Sequence, residues 1–211
     1  MIDVIRSRLN EYSKKEGKRY KWKWDTTKKL SDAAVLMPLC VVDGQLSVLF
    51  TVRSLNLREH QGEISFPGGK RDSQDESLHA TSLRETQEEI GISSSSIDIL
   101  GQLAVLPNKT RTLRVYPFVG FIREPLDLKA IQYNCNEVER VFTLPLSYLY
   151  DPKNRRTQQF RDSKYLYPVF KVPESVGLPP EIELWGLTAF ITDTFLRILG
   201  QSPTETLGTH Q

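Results

Sequence analysis

The sequence predicts a single α/β domain, and three observations carry that expectation. The chain has 211 residues, enough for one well-buried domain with extensions. Apolar, β-branched runs alternate with amphipathic stretches of helical period. No internal repeat or second hydrophobic unit interrupts them. The expected division is a basic N-terminal extension with a short helix over 1–30, a main domain over 31–200 and a flexible tail over 201–211.

Ile2, Ile5 and Leu9 recur at helical spacing and predict a short helix within 2–12. Residues 14–29 are basic, with Trp22 and Trp24 interleaved. Such a pattern can stack on nucleic-acid bases; the preferred reading is that the tryptophans pack this arm onto the domain. Residues 33–42 and 46–52 are strand-like and joined by Asp43-Gly44, a strong hairpin signal. Residues 53–61 form a polar loop carrying Arg53, Arg58 and His60, the last read as a hydrogen-bonding partner more than an acid or base. A short strand over 63–66 leads into Pro67-Gly68-Gly69, where the backbone can approach a ligand closely. The helix that follows has Ser73 and Asp75 as candidate caps and Gly91 as its stop.

Residues 97–106 and 113–122 are strands, joined by a polar loop that can reach over a site. Residues 124–136 form a loop, 138–144 a strand, and Pro145-Leu146-Ser147 turns into a short helix. A final hairpin is expected over 158–170 around Asp162-Ser163. Beyond Pro179-Pro180, the stripe Leu184, Leu187, Ile191, Phe195 and Ile198 marks the core face of a C-terminal helix.

The chemistry concentrates on the helix before Gly91. Glu85, Glu88 and Glu89 stand at i, i+3 and i+4, so one face carries three carboxylates. Each like-charge i,i+4 pair costs a helix roughly 0.2–0.5 kcal/mol, and the Arg84–Glu88 pair offsets only part of this. A hard divalent cation relieves the repulsion and suits carboxylate oxygens. The alternative is a solvated acidic face; Gly68-Gly69 upstream and Arg84 within the cluster favour the cation.

This stretch resembles the Nudix box: Glu76, seven residues, Arg84-Glu85, then Glu88-Glu89, Gly91 and Ile92. It departs from the box twice. Six residues, not five, separate Gly69 from Glu76, and Thr86 stands where an apolar residue is usual. Either the turn carries a one-residue insertion or Asp75 takes the place of the first Glu. Upstream, Arg53, Ser54, Arg58, Gly62 and Phe66-Pro67-Gly68-Gly69 are similar to the signature of the coenzyme A diphosphatase branch of Nudix hydrolases, with Phe50 at a position usually Leu.

The resemblance implies a Nudix fold, a mixed β-sheet sandwiched between α-helices, and an enzyme cleaving a nucleoside diphosphate derivative with Mg²⁺ or Mn²⁺. By the same resemblance Glu85 and Glu89 are the principal metal ligands and Glu88 shares the cluster or accepts a proton. Arg84 orients the carboxylates, and Glu137, with Glu139 as its alternative, assists the metals or activates water. Arg53, Arg58, Gly68, Gly69 and Lys70 are the expected substrate-binding residues. The implied substrate is coenzyme A or an acyl or oxidised derivative. A different dinucleotide, a nucleotide sugar, a capped RNA end, or an inactive binding module remain the competing readings.

Composition narrows the setting. Residues 1–30 carry a net charge of +6 against −4 for the rest, so the arm can meet an anion or stand as a solvated extension. The overall charge of +2 does not call for a nucleic-acid partner. Cys40 and Cys135 make no disulfide framework and point to a reducing compartment. No run reaches the ~20 apolar residues of a membrane span. The expectation is an intracellular, cytoplasmic protein acting on a small molecule, with mitochondrial or peroxisomal placement and a homodimer left open.

Overall fold

The computed structural model describes residues 1–16, 22–159 and 166–200. Helix α1 spans Ile2–Glu16. Strands β1 (Ser31–Val42) and β2 (Gln45–Arg53) form the expected hairpin. At its turn Asp43 and Gly44 both take positive φ, 50° and 73°, the pair of left-handed residues that a type I′ turn requires. Strands β3 (Ile64–Ser65) and β4 (Gly68–Lys70) follow, then helix α2 (Leu78–Ile90). Next come β5 (Ile97–Gln102), β6 (Leu106–Pro107), β7 (Leu113–Ile122) and β8 (Val138–Pro145). Helix α3 (Leu146–Tyr150), the strands β9 (Arg155–Gln159) and β10 (Leu166–Phe170), and helix α4 (Gly186–Leu199) complete the chain.

The main sheet is mixed. β1 runs parallel to β7 from Ser31↔Leu113 to Leu39↔Phe121, while β5 and β6 lie antiparallel on the far edge of β7. On its other side β1 has two partners. Its end pairs with β2, Leu39↔Val48 to Val42↔Gln45, and its start pairs with β4, Ala33↔Lys70 to Val35↔Gly68. β2 in turn gives its later half to β3, Thr51↔Ser65, and its outer edge to β8. The hairpin strands therefore splay apart, and the β3–Pro67–β4 segment fills the split. The Leu36 N–H, donating to the Pro67 carbonyl at 2.9 Å, fixes it there. Gly68 and Gly69 are thereby held inside the sheet, not on a free loop.

Both faces of this sheet are covered, which is why its central strands are apolar on successive residues. One face packs Ala34, Leu36, Cys40 and Leu49 against Ile90 of α2. The other packs Met37, Leu39, Val48 and Phe50 against Ile5 and Leu9 of α1 and against Ile191, Phe195 and Leu199 of α4. Phe50 stacks between Phe66 and Phe142, with ring centroids 5.2 and 5.5 Å away. A fully buried Phe contributes roughly 2–3 kcal/mol, so this stack is a fixed point directly behind the glycine segment.

Several expectations change. The N-cap of α2 is Ser77, whose Oγ accepts the Ala80 N–H at 3.2 Å; Ser73 and Asp75 lie in the turn before it. The apolar run 97–106 is two strands: β5 ends at Gln102 and β6 begins at Leu106, with a register shift inside β5 between Ile99 and Gly101. The second hairpin starts at Arg155; the turn expected around Asp162-Ser163 lies outside the described residues, as does the tail expected from Gln201. The buried residues of α4 are Thr188, Ala189, Ile191, Thr192, Asp193, Phe195, Leu196 and Leu199. Leu187 is 36% exposed, and Leu184 precedes the helix, bridging to Phe170. Trp22 donates its indole N–H to the Val105 carbonyl at 2.8 Å, which ties the chain after α1 to the body.

Candidate active site

Helix α2 presents its acidic face toward the glycine segment. Ser77 starts the helix and Gly91, at φ 70°, ends it. Thr86, where an apolar residue was expected, is fully buried and donates its hydroxyl to the Ser82 carbonyl at 2.7 Å. The hydroxyl is satisfied within the helix, so the substitution leaves no orphaned polar group.

Glu89 is 5% exposed and lies under Gly68, whose N–H points at its Oε1 from 3.4 Å. Burial pushes its carboxyl up to about 8; the Gly68 N–H and the Arg53 charge work against that shift, and Glu137 and Glu85 add to it. Glu85 is also raised by burial, with Arg84 opposing and Glu88 and Glu137 adding. The Glu137 charge thus acts on both the half-buried Glu85 and the buried Glu89, although Glu137 lies about fifty residues along the chain and is exposed. Gly69 packs so closely on Glu85 that a Cβ there would lie 2.4 Å from the carboxylate. Only glycine leaves room for that side chain.

Arg84 organises the cluster. Its Nε and Nη2 donate to the two Asp75 oxygens at 2.9 and 3.0 Å. Nη1 reaches Glu88 and Nη2 reaches Glu85, each at 2.9 Å, and Nη2 also donates to the Lys70 carbonyl at 3.3 Å. Asp75 is buried and further receives the Asp72 N–H and the Thr81 hydroxyl, both at 2.9 Å. These donors, led by Arg84, hold its carboxyl well below the usual carboxylate range. Glu76 is exposed. The open question of the box spacing is therefore answered by geometry: Asp75, not Glu76, meets the arginine fork.

The expected substrate residues divide. Arg53, at the end of β2, has its Nε buried without a hydrogen-bond partner, and its charge acts on Glu89. Arg58 is exposed on the loop between β2 and β3. The Lys70 side chain is exposed, and its carbonyl is the group engaged with Arg84. His60 takes φ 60° and meets Glu63 through Nδ1 at 2.9 Å. Glu139, the alternative to Glu137, is exposed and is the residue skipped where the pairing of β8 with β2 slips register, between Val138 and Arg140. The sequence did not reveal Asn134, nor the role of Ser54 of the upstream signature; the two fasten the Glu137 turn to the end of α2 and to the loop after β2.

Among the described residues, no three acidic, histidine or cysteine side chains form a ready-made metal cage. Glu85 and Glu88 are instead held in ion pairs with Arg84, each at 2.9 Å. The donor set nonetheless fits a hard divalent cation. It is all carboxylate oxygen, and burial of Glu85 and Glu89 leaves negative charge there unfavourable until a cation neutralises it.

A family model described as the NUDIX domain matches residues 30–166. "Nudix hydrolase 3" of Caenorhabditis elegans is 37% identical over 177 residues, covering 80% of this chain and 73% of that protein. The human "Mitochondrial coenzyme A diphosphatase NUDT8" is 38% identical over 175 residues, covering 80% and 70% respectively. The "Peroxisomal coenzyme A diphosphatase NUDT7" of Mus musculus is 37% identical over 175 residues, covering 81% and 71%. The chain belongs to the Nudix hydrolase family.

Proposed function

We propose that this Nudix diphosphatase hydrolyses the diphosphate of coenzyme A or its acyl or oxidised derivatives. One water adds across the P–O–P bridge; the products are 3',5'-ADP and (acyl-)4'-phosphopantetheine. The observation that carries the chemistry is the Glu85–Glu88–Glu89 face set against Gly68 and Gly69, with the unpartnered Arg53 Nε beside it. The substrate rests on the upstream Arg53-to-Gly69 signature and on the names borne by the two coenzyme A diphosphatase relatives.

In this reading Glu85 and Glu89 hold Mg²⁺ or Mn²⁺, with Glu88 sharing the cluster from the rim. A divalent ion there neutralises diphosphate charge and lowers the pKa of a bound water. The chain's own residues do the rest. Arg53 and Arg58 offer planar donor forks to phosphate oxygens. Gly68 and Gly69 let the diphosphate approach the backbone, and Lys70 adds charge at the same edge. Glu137 takes the proton of the attacking water, with Glu88 the second acceptor. Arg84 sets the orientation of Glu85 and Glu88 and moves no proton.

The test is a Mg²⁺- and Mn²⁺-dependent assay of the full chain against coenzyme A, acetyl-coenzyme A, NADH, ADP-ribose and capped RNA. The expected result is cleavage of coenzyme A into two phosphomonoesters. Cleavage of capped RNA or ADP-ribose without coenzyme A would overturn the substrate. No turnover of any compound would make the protein a binding module.

A further inference from the structure

The 134–137 turn is gripped from two sides. Asn134 donates its backbone N–H to the Glu89 carbonyl at 2.8 Å, at the end of α2. The preceding Gln132 carbonyl lies so close to the helix end that a Cβ on Gly91 would sit 2.6 Å from it. From the other side, fully buried Ser54 donates its N–H to the Glu137 carbonyl at 2.9 Å and its hydroxyl to the Cys135 carbonyl at 3.2 Å. Ser54 directly follows Arg53, where the pairing of β2 with β8 slips register. Within the turn the Asn134 side chain does two things. Its Oδ1 accepts the Asn136 N–H at 3.1 Å, and its Nδ2 donates to Glu137 Oε1 at 3.3 Å.

We propose that Asn134 is a positioning residue for the hydrolysis: its amide steers the Glu137 carboxylate, and its backbone ties that carboxylate to the helix that carries Glu85 and Glu89. The proposal rests on the role given above to Glu137. Physically, an exposed glutamate has several rotamers of similar energy. A donor fixed to α2 selects the one that turns toward the helix carrying Glu85 and Glu89. Ser54 keeps the turn at a set distance from Arg53, so proton acceptor and phosphate donor share one frame.

The chemistry of asparagine separates steering from mere turn formation. Asn134→Asp retains an oxygen for the Asn136 N–H but replaces the donor to Glu137 with a repelling carboxylate. Asn134→Ala removes both contacts. Steady-state kinetics on coenzyme A with Mg²⁺ are measured for these variants, Glu137→Gln and the double variant Asn134→Ala/Glu137→Gln, with melting curves in parallel. Steering lowers kcat about 10-fold in both Asn134 variants, with KM within about twofold. The double variant is then no slower than Glu137→Gln alone, because the side chain that the amide steers can no longer take a proton. Wild-type kcat in Asn134→Asp would overturn the proposal, since a turn-forming role survives that change. So would a double variant whose loss is the product of the two single losses. Wild-type turnover in Glu137→Gln is a different failure: it removes the role of Glu137 itself.

Discussion

At the residue scale, Glu89 couples burial to charge. A carboxyl whose folded-state pKa lies above its unfolded one holds its proton more tightly when folded. Here the value is about 8 against an ordinary 4.5. The resulting stabilisation is complete below about pH 4.5 and is lost as pH rises through 8. The metal-free protein should therefore melt at progressively lower temperature as pH rises from 6 to 9. Glu89→Gln should flatten that slope, and so should added Mg²⁺; melting curves with and without a chelator read it directly. An unchanged slope in Glu89→Gln would place the titrating group elsewhere. Asp75 gives a second expectation. Removing a buried carboxylate that takes four donated hydrogen bonds costs about 2 kcal/mol or more. Asp75→Ala should show that loss, whereas exposed Glu76→Ala stays within about 0.5 kcal/mol. Equal losses in the two would contradict the assignment of the arginine partner.

At the element scale, α2 and the β3–β4 segment work as a pair. The segment is held by sheet pairing and by the Phe50–Phe66 stack, so the glycine backbone is a rigid surface facing the helix. Gly69→Ala places a methyl carbon against the end of the Glu85 side chain, which can swing away. Activity should fall about 10-fold or more while the melting temperature barely moves. Gly68→Ala differs, because φ is 156° and the new atom would lie 2.4 Å from the Ala34 carbonyl oxygen and 2.6 Å from Val35 Cα. Backbone cannot swing, so that variant should lose about 2 kcal/mol or more of stability. The acidic face of α2 was legible in the sequence because helical period converts spacing into a face. Its partner groups were less so. Whether Asp75 or Glu76 met Arg84 depended on a turn whose path one extra residue alters. Asn134 carried no signal, and Ser54, though within the upstream signature, gave no sign of its contact with Cys135, which joins residues 81 apart.

At the scale of the whole molecule, two helical layers clamp a sheet whose middle has been opened for the glycine segment. The hairpin and the apolar runs follow from patterns local in sequence. The splay of β1 and β2 does not, because it arises from a later segment entering between them. α1 likewise shows only an amphipathic pattern in sequence, yet Ile5 and Leu9 are 1% and 0% exposed and Leu9 packs on Gly101. Leu9→Ala should cost about 3 kcal/mol, measurable by denaturant unfolding; a cost below about 0.5 kcal/mol would mean that α1 is an appendage. The central claim is that the carboxylates of α2 hold the divalent ion on which hydrolysis depends. Electron paramagnetic resonance of Mn²⁺ titrated into wild-type, Glu85→Gln and Glu89→Gln protein tests it most directly. Mn²⁺ affinity should drop at least about 10-fold in each variant; wild-type affinity in both would contradict it.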